Sequence, residues 1–502
     1  MRLPFLATWL MVLGILSCRP ASAQSFWVEE VVTGLNVPWS MAWLPDGDML
    51  ITEKFGGLRV VRDGKLVPEP VAGVPATYRG SINGLLDIAL DPDFATNQRV
   101  YLTYDEGTET RGHGVLYRAR WDGRALVDGK VIYRTTLASG LAPHSGLTRL
   151  AFLPDKTLLV GVVVDDTRRF LAQRLNYDHG KILRLDRDGG AVADNPFAAQ
   201  DGALPQVYSR GHRVITGLAH DPVSGAVWEV ENGPQGGDEL NVIRAGANYG
   251  WPDATYGIQY DGQTISTAPE QAGIDKPLAY WVPSIAPSGL AFVRGGRYPR
   301  WQEAILVGAL SGRHLRLVHL RDGRPDAQET LLADLKERIR DVRVGPDGYI
   351  YLLTDNQHGR LLRLRPGMPP ADAHARVARA LPELTNPTTD TMDLKPKPVD
   401  ADRGARLFAQ QCAQCHATTP GAGTPAGPSL AGVVGARPAT GSYPYSDELR
   451  NAALRWESPI LERYLAGPDV FLHGSRMPGP AVRSAQDRAD LIGYLQRCCA
   501  AP

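Results

Sequence analysis

The sequence lacks an excess of charge of either sign. Lysine plus arginine number 54 and aspartate plus glutamate number 54, so the 502 residues carry a formal net charge of zero. This balance gives no electrostatic footprint for nucleic acid or anionic lipid, so small neutral substrates and protein partners remain. Long hydrophobic runs are also missing, since the apolar stretch Leu6–Leu16 is too short to span a bilayer.

The first 23 residues have the features of a secretory signal. Arg2 supplies a positive n-region, Leu6–Leu16 an apolar h-region, and Ala21-Ser22-Ala23 an A-x-A cleavage site. We predict that residues 1–23 are removed on export, which leaves a periplasmic protein without a membrane span. The alternative is a lipoprotein signal ending at Cys18, which would tether the protein to a membrane, but the A-x-A site matches better.

Cysteine is scarce, with five residues in the whole chain. Cys18 belongs to the predicted signal, and Cys498 and Cys499 are adjacent near the C-terminus, so no disulfide framework is implied. The adjacent pair can form a vicinal bridge, a free dithiol or an intermolecular link, and the sequence does not choose among them. The other two cysteines, Cys412 and Cys415, belong to a motif.

The segment Cys412-Ala413-Gln414-Cys415-His416 has the C-x-x-C-H spacing that covalent attachment of a c-type haem requires. The two cysteines would form thioethers to the porphyrin, and His416 would be the proximal iron ligand. Met477, which is followed by a proline and flanked by glycines, is the candidate second axial ligand. The alternative, half of a zinc site, needs two further ligands at suitable spacing, and none is apparent. The motif predicts an electron-carrying domain.

Helix-like apolar spacing is concentrated in the C-terminal part of the chain. It occurs at Ala401–Gln411, Glu457–Leu465 and Ser484–Cys498. These segments predict a small all-α cytochrome c domain at residues 400–502. Residues 366–399, with repeated prolines among threonine and aspartate, are predicted to form a linker.

Residues 26–365 show hardly any helical periodicity and repeat a strand, a turn and a second strand. Five instances span residues 40–51, 86–94, 150–155, 218–222 and 342–351, and a sixth with a longer loop spans residues 289–308. In such turns proline fixes the first dihedral angle and Asp-Gly supplies positive φ. The repeat indicates a propeller or a string of sandwiches. A propeller fits better because radial stacking buries the blade faces, so we predict an all-β six-bladed propeller.

The densest polar constellation spans residues 231–241 and is followed by Asn248-Tyr249-Gly250-Trp251-Pro252. Carboxylates, together with glycines that free backbone carbonyls, are typical of an oxygen-ligated Ca²⁺ site. From composition alone, an acidic loop with turn glycines explains the segment equally well.

This constellation resembles the calcium loop of the soluble aldose sugar dehydrogenases, the glucose/sorbosone dehydrogenase family, whose six-bladed propellers hold pyrroloquinoline quinone (PQQ). The similarity covers most of residues 30–365, and the C-terminal part resembles class I cytochromes c. The whole chain therefore resembles quinohaemoprotein dehydrogenases of the sorbosone type. The resemblance implies PQQ, Ca²⁺ and haem c as cofactors.

The resemblance also implies roles for individual residues. His144 matches the catalytic base, and Arg213 matches the arginine that faces the reactive quinone carbonyl. The implied calcium ligands are Gly233 and Pro234 for the Ca²⁺ that touches the quinone, and Glu239 and Tyr249 for a neighbouring Ca²⁺. The residues implied for quinone binding are Arg338, Arg340, Asp355, Ser284 and Arg313, the last as a substitute for a lysine of the family.

The chemistry needs these residue types independently of the resemblance. Guanidinium groups bind carboxylates bidentately and stay charged, which suits a quinone with three carboxylates. An imidazole can take the proton from a sugar's anomeric hydroxyl while hydride leaves carbon, and a cation beside the quinone oxygen stabilises the arriving charge. We predict an oxidoreductase that oxidises an aldose or sorbosone-like sugar to a lactone or acid and passes electrons through haem to an external acceptor.

The chain departs from the family pattern at several positions. Val214-Ile215-Thr216-Gly217 stands where the family has Asn-Pro-Gln-Gly, and Ile82 stands where a glutamine is expected. These departures leave open another class of function, a non-catalytic sugar-binding propeller with a cytochrome c electron-transfer module. A third alternative keeps catalysis but acts on an aromatic alcohol or an oligosaccharide.

Overall fold

The structure is a computed structural model that describes most of the chain after residue 24. The described residues are 25–80, 83–108, 111–136, 146–260, 264–266, 268–369, 377–380, 389–390, 399–419, 421, 426–452, 454–466, 468, 477, 482 and 485–499. The predicted export signal and His144 therefore lie outside the described residues.

Six antiparallel sheets within the described residues form the blades of a propeller, which confirms the predicted fold. The chain begins with β1 (Phe26–Leu35). Blade 1 holds β2 (Pro38–Trp43), β3 (Met49–Glu53), β4 (Gly57–Arg62) and β5 (Lys65–Leu66). Blade 2 holds β6 (Leu85–Leu90), β7 (Arg99–Thr108), β8 (Arg111–Trp121) and β9 (Leu126–Arg134), and the short helix α1 (Phe94–Asn97) lies between β6 and β7. Blade 3 holds β10 (Leu147–Phe152), β11 (Leu158–Val162), β12 (Lys181–Leu185) and β13 (Val207–Arg210). Blade 4 holds β14 (Ile215–His220), β15 (Val227–Glu231), β16 (Asp238–Ile243) and β17 (Ala279–Trp281); blade 5 holds β18 (Pro287–Phe292), β19 (Ala304–Ala309), β20 (His314–Arg321) and β21 (Arg324–Leu331); blade 6 holds β22 (Ile339–Val344), β23 (Ile350–Thr354) and β24 (Gly359–Pro366).

The first strand of each blade lies at the centre and packs against the first strands of both neighbouring blades. The ring is closed by β1, which pairs antiparallel with β24, so that Trp27 lies opposite Arg365 and Leu35 opposite Gly359. The fourth strand of blade 6 therefore comes from the N-terminal end of the propeller. Main-chain hydrogen bonds between β1 and β24, at the two ends of the domain, therefore close the ring of blades.

The predicted turns connect the first two strands of the blades. Between β2 and β3, the Gly47 N–H donates to Leu44 O at 3.0 Å, and Gly47 has a φ of 94°. Gly348 repeats this between β22 and β23 with a φ of 77°. Because residues with a Cβ rarely adopt such φ values, glycine ends these turns at low cost.

The apolar core lies between adjacent blades. Leu306 and Leu317 of blade 5 pack in one buried cluster with Val342 of blade 6. Leu50 of blade 1 packs in the same way with Ile88 of blade 2. Radial stacking therefore buries the blade faces, as the predicted propeller requires.

After the propeller, the described residues include the helices α2 (Ala401–Gln411), α3 (Asp447–Asn451), α4 (Ser458–Ala466) and α5 (Ala485–Cys499). Three of them agree with the predicted helical segments to within one residue. The Asp400 side chain caps α2 by accepting from the N–H groups of Asp402 and Arg403. Cys498 and Cys499 form a vicinal disulfide at the end of α5.

The range predicted as a linker contributes two short strands, β25 (Val377–Ala380) and β26 (Thr389–Asp390). The strand β25 pairs with β1, and β26 pairs with β21. Each adds a fifth strand to the outer edge of a blade. Among the described residues, no helix is both long enough and apolar enough to cross a membrane.

Candidate functional site

The innermost strands run parallel around the channel, so their first residues meet at one end, here called the channel mouth. Predicted site residues lie beside these strand starts: Arg213 just before β14, Ser284 just before β18 and Arg338 just before β22. The described chain resumes at Gly146, two positions after His144 and directly before β10. Residues that are distant in the sequence are thereby brought together at the channel mouth.

Two predicted quinone-binding arginines share one carboxylate at the mouth. Arg338 Nε and Nη2 lie 2.9 and 2.8 Å from Asp355 Oδ2, and Arg340 Nε and Nη2 lie 3.1 and 3.0 Å from Oδ1. Although burial opposes ionisation, Arg340 and Arg338 hold the pKa of Asp355 below its usual range. The Arg338 side chain is 41% exposed, so it can offer further donors to a ligand. Asp355 therefore fixes the orientation of both guanidinium groups.

A buried lysine adds a third positive charge to this part of the mouth. Burial, and then the charge of Arg340, lower the pKa of Lys54 to about 8. Asp105 lies nearby and accepts from the Gly84 N–H at 3.2 Å, and burial raises its pKa to about 7. Burial is the larger cause of the lowered pKa of Lys54, and the charges of Asp355 and Asp105 oppose the shift.

Below the mouth, a buried ion network crosses the channel. Arg149 Nη1 lies 3.0 Å from Asp341 and 3.4 Å from Asp87, and the Arg149 guanidinium stacks 4.0 Å from the ring of Trp39. Arg343 contacts the same two aspartates at 3.1 and 3.3 Å. These charges alternate in sign, and they join the innermost strands of blades 2, 3 and 6.

Arg213 is buried on the blade 4 side of the mouth. Its Nε and Nη2 donate to the two oxygens of Asp166 at 3.0 and 2.9 Å, and its Nη1 donates to Asn232 O at 2.9 Å. Its backbone N–H donates to Glu231 Oε2 at 2.9 Å. These contacts hold the guanidinium rigidly, and it stays charged.

The predicted calcium loop folds over a buried carboxylate. Asp238 accepts from the Gly233 N–H at 3.0 Å, from the Ser284 hydroxyl at 2.9 Å, and from the N–H groups of Ile285 and Ala286 at 2.7 and 3.0 Å. Burial raises the pKa of Asp238 to about 7, although these hydrogen bonds oppose the shift. Asp238 therefore ties the loop that starts at Gly233 to the segment that contains Ser284.

Further acidic side chains lie on one face of β15 and β16. Glu231 lies opposite Glu239 and Glu229 opposite Asn241, and all four are buried. The Asn241 amide donates to Glu229 and Glu239 at 3.1 and 3.2 Å. Burial, and then the charge of Glu231, raise the pKa values of Glu229 and Glu239 well above the ordinary value. Buried carboxylates of this density are the donor set that a cation requires.

Two other predicted residues have different surroundings. The Tyr249 hydroxyl donates to Val242 O at 2.7 Å and accepts from the Arg244 N–H at 2.9 Å, so a metal would meet its backbone rather than its phenol. Arg313 is exposed, with a φ of 51°, on the turn after β19. Leu310 of that turn accepts from Arg338 Nη1 at 3.4 Å.

The loop after Trp251 lies against the predicted calcium loop. A Cβ on Gly257 would stand 2.5 Å from Pro234 Cδ, so only glycine permits this approach. The Gln235 amide donates to Gln259 O at 3.0 Å. Between Gly257 and Gln259, Ile258 is 1% exposed and packs in the apolar cluster of the helical domain with Phe408, Trp456 and Leu491. The propeller and the helical domain therefore meet beside the calcium loop.

The haem motif lies at the C-terminal end of α2. His416 Nδ1 lies 2.9 Å from Pro428 O, so the ring donates there and presents Nε2 to an iron. A Cβ on Gly427 would stand 2.8 Å from His416 Cε1, so glycine is required beside the ring. Cys412 and Met477 both pack against the apolar cluster of this domain. The residues present fit a covalently attached haem, which Cys412, Cys415, His416 and Met477 would hold.

The channel mouth also fits its predicted ligand. Three cationic side chains, Lys54, Arg338 and Arg340, lie close together there, and the charge of Arg340 opposes that of Lys54, although burial is the larger cause of the lowered pKa of Lys54. An anion with several carboxylates would relieve this repulsion. The buried acidic face of blade 4 likewise fits a divalent cation.

Comparison with known proteins agrees with this geometry. The sequence profile described as Glucose / Sorbosone dehydrogenase matches residues 35–363, and the profile described as Cytochrome c matches residues 401–498. The chain belongs to the glucose/sorbosone dehydrogenase family. A sugar dehydrogenase propeller fused to a cytochrome c domain fits an oxidoreductase with electron transfer, and the cytochrome c domain implies haem.

Several relatives cover one domain or the other. The Aldose sugar dehydrogenase YliI of Escherichia coli (strain K12) is 38% identical over 368 residues, which cover 72% of this chain and 98% of that protein. The PQQ-bound form of Aldose Sugar Dehydrogenase from Streptomyces coelicolor superimposes with a TM-score of 0.57 and 30% identity, covering 69% of this chain and 100% of that one. Cytochrome c of Gossypium barbadense is 39% identical over 104 residues, which cover 20% of this chain and 94% of that protein.

Sequence reasoning missed Lys54, Asp105, Asp166, Arg149 and Ile258. Arg149 had a usable signal, because it is the one charged residue in the mostly apolar strand β10. No sequence signal identified Ile258, since a single apolar residue in a loop does not indicate which domain it packs against.

Proposed function

We propose that this protein is an exported quinohaemoprotein that oxidises an aldose or a sorbosone-like sugar to a lactone or acid. PQQ and Ca²⁺ would bind in the propeller and haem c in the C-terminal domain, and an external redox protein or the respiratory chain would receive the electrons. The export signal predicted at residues 1–23 supports a periplasmic location.

The contact between the two domains carries this proposal. Ile258 is buried in the apolar cluster of the haem domain, and its neighbour Gly257 lies against Pro234 in the calcium loop. This arrangement supports direct electron transfer from the channel mouth to the haem domain of the same chain.

The residues of the mouth divide into binding and catalytic groups. Arg338, Arg340 and Lys54 would bind the carboxylates of the quinone. When bound, PQQ supplies a carbonyl that accepts two electrons as hydride. His144 would take the proton from the anomeric hydroxyl of the sugar. Arg213, held by Asp166 and Asn232, would stabilise the negative charge that develops at the mouth.

Cation binding would organise the other side of the mouth. Gly233 and Pro234 would offer carbonyls to the first Ca²⁺, and Glu239 and the Tyr249 backbone would serve the second. The Asp238 hydrogen bonds to Gly233 and Ser284 support a loop that is shaped before any ligand arrives. Such preorganisation lowers the entropic cost of binding.

In the haem domain, Cys412 and Cys415 would hold the porphyrin, while His416 and Met477 would bind the iron. The hydrogen bond from His416 to Pro428 O fixes the imidazole orientation and raises its basicity. Haem iron accepts electrons one at a time, so a fused cytochrome suits a donor that is reduced by two electrons.

The test is sugar-dependent reduction of the haem. Purified haem-loaded protein is supplied with PQQ and CaCl₂ and mixed anaerobically with a panel of aldoses and sorbosone-like sugars. We expect the haem absorption band to change to that of the reduced form, and His144→Ala to abolish this change with haem content preserved. A response to none of the sugars would instead support the non-catalytic sugar-binding propeller. A response only to aromatic alcohols or oligosaccharides would reassign the substrate.

A further inference from the structure

Three side chains of types that bind metals lie together at blade 4, beside Glu239, and none of the three is among the residues implied as calcium ligands. His212, Glu229 and Glu231 each place one ligand atom within 4.8 Å of the others. Glu229 and Glu231 lie on the same face of β15, two positions apart, and His212 directly precedes Arg213. His212 and Glu229 are 0% exposed and Glu231 is 4% exposed.

Several polar atoms of this cluster lack hydrogen bonds. Among the described residues, Glu229 Oε1, His212 Nδ1 and the neighbouring Asn241 Oδ1 have no hydrogen-bond partner. His212 Nδ1 is directed at the cluster, because it lies 3.5 Å from Glu231 Oε2. Buried polar atoms in folded proteins are almost always paired, so the unpaired atoms of His212 and Glu229 in one cluster indicate a missing ligand.

The charge of the cluster is also uncompensated. Within the described part of the chain, no lysine or arginine side chain forms an ion pair with Glu229 or Glu231. Their hydrogen bonds come from neutral donors: the Arg213 backbone N–H at 2.9 Å and the Asn241 amide at 3.1 Å. Buried carboxylates in folded proteins are paired with cations or coordinate metals.

We propose that His212, Glu229 and Glu231 bind one divalent metal ion that accepts nitrogen ligands, Zn²⁺ or Mn²⁺. Two carboxylates and one dication form a neutral buried group. An imidazole nitrogen suits Zn²⁺, and carboxylates suit Mn²⁺, whereas Ca²⁺ takes oxygen ligands. Asn241 Oδ1 is available as a fourth ligand or as an acceptor for metal-bound water.

The surroundings of His212 support this role. Its Nε2 lies 2.9 Å from Ser209 Oγ, so Nε2–H can donate there and leave Nδ1 deprotonated for a metal. Tyr249 stacks on the ring at 4.8 Å and fixes its plane. The metal would also secure Arg213, since Glu231 accepts the Arg213 N–H and His212 is its neighbour in the chain.

The first test measures metal bound to the full-length haem-loaded protein. After exposure to ZnCl₂ or MnCl₂ and removal of free ions, elemental analysis should find about one Zn or Mn per haem iron. Glu229→Gln, which keeps the shape and removes the charge, should lower this value at least tenfold. Glu329→Gln is the matched control, because it alters a carboxylate that contacts His319 in blade 5 without a third ligand, and it should retain the metal.

A second test uses Co²⁺ as a spectroscopic probe of the imidazole. Wild-type protein should show cobalt ligand-field bands that His212→Gln removes, and added Zn²⁺ should raise the melting temperature of wild type but not of Glu229→Gln. The proposal is overturned if wild type retains no Zn or Mn, or if Glu229→Gln retains the same amount. A metal-free Glu229→Gln protein that is more stable than wild type, with no Zn²⁺ response in wild type, would show that protons neutralise the cluster instead.

Discussion

Replacing Ile258 should separate sugar oxidation from haem reduction. Ile258 is 1% exposed, and it belongs to the buried apolar cluster that contains Phe408 and Trp456 of the haem domain. Ile258→Ala removes three side-chain carbons, which at about 0.8 kcal/mol per buried carbon weakens docking of the two domains by about 2.4 kcal/mol. Because about 1.4 kcal/mol corresponds to a tenfold change in an equilibrium constant, the docking equilibrium constant should fall by about 50-fold.

The assay compares two electron acceptors on the same reconstituted protein. Stopped-flow absorbance measures haem reduction after sugar is added, and a small artificial dye measures oxidation at the propeller independently of docking. We expect haem reduction to slow in Ile258→Ala and to slow further in Ile258→Asp, with dye reduction and haem content preserved. Small-angle scattering should show a larger radius of gyration for Ile258→Asp.

The control is Val223→Ala, which truncates an apolar side chain that is 75% exposed on the propeller. It should leave haem reduction and the radius of gyration unchanged. Wild-type haem reduction rates in both Ile258 variants would refute the reasoning, because the contact would then have no part in electron transfer. Loss of the dye reaction in wild type would instead count against the proposed oxidation itself.

Three further predictions concern stability and the haem. Arg149→Met leaves Asp87 and Asp341 buried without one of their cations, so the free energy of unfolding in urea should fall by about 3–5 kcal/mol. The control Arg120→Met removes the exposed ion pair with Asp128, and it should lower the free energy of unfolding by only about 0–1 kcal/mol. Gly427→Ala places a Cβ 2.8 Å from His416 Cε1, so the haem absorption spectrum should show weakened axial ligation. The control Gly296→Ala should leave the spectrum unchanged, because a Cβ there has no atom within 4 Å. Asp105 has a folded pKa of about 7 against an ordinary 3.8, so the folded state keeps a proton that the unfolded state loses. Its contribution to the free energy of unfolding should therefore fall by up to about 4 kcal/mol from about pH 4 to about pH 7, and Asp105→Asn should flatten this part of the pH profile of urea unfolding.

The propeller could be predicted because its signals are local. Each Pro-Asp-Gly turn fixes a hairpin through backbone dihedral angles, and Gly47 and Gly348 adopt the positive φ that this requires. The closure by β1 was not predicted, since pairing Trp27 with Arg365 depends on residues at opposite ends of the domain. The pairing of β25 and β26 with blade edges was missed for the same reason, because proline-rich composition favours a linker.

The candidate site could be predicted only where a motif or a resemblance existed. The geometry places Arg213, Ser284 and Arg338 at one rim, as a shared site requires. Lys54 belongs to no motif, and its position beside Arg340 follows from the stacking of blade 1 on blade 6. Whether His144 serves as the base stays a prediction, because it lies outside the described residues.

The most direct test of the central claim is the dependence of the haem reduction rate on protein concentration. Protein reconstituted with PQQ and Ca²⁺ is mixed anaerobically with excess sugar over a hundredfold range of protein concentration. Electron transfer within one chain predicts a first-order rate that is the same at every concentration. A rate proportional to protein concentration, or no haem reduction with any sugar, would contradict the account.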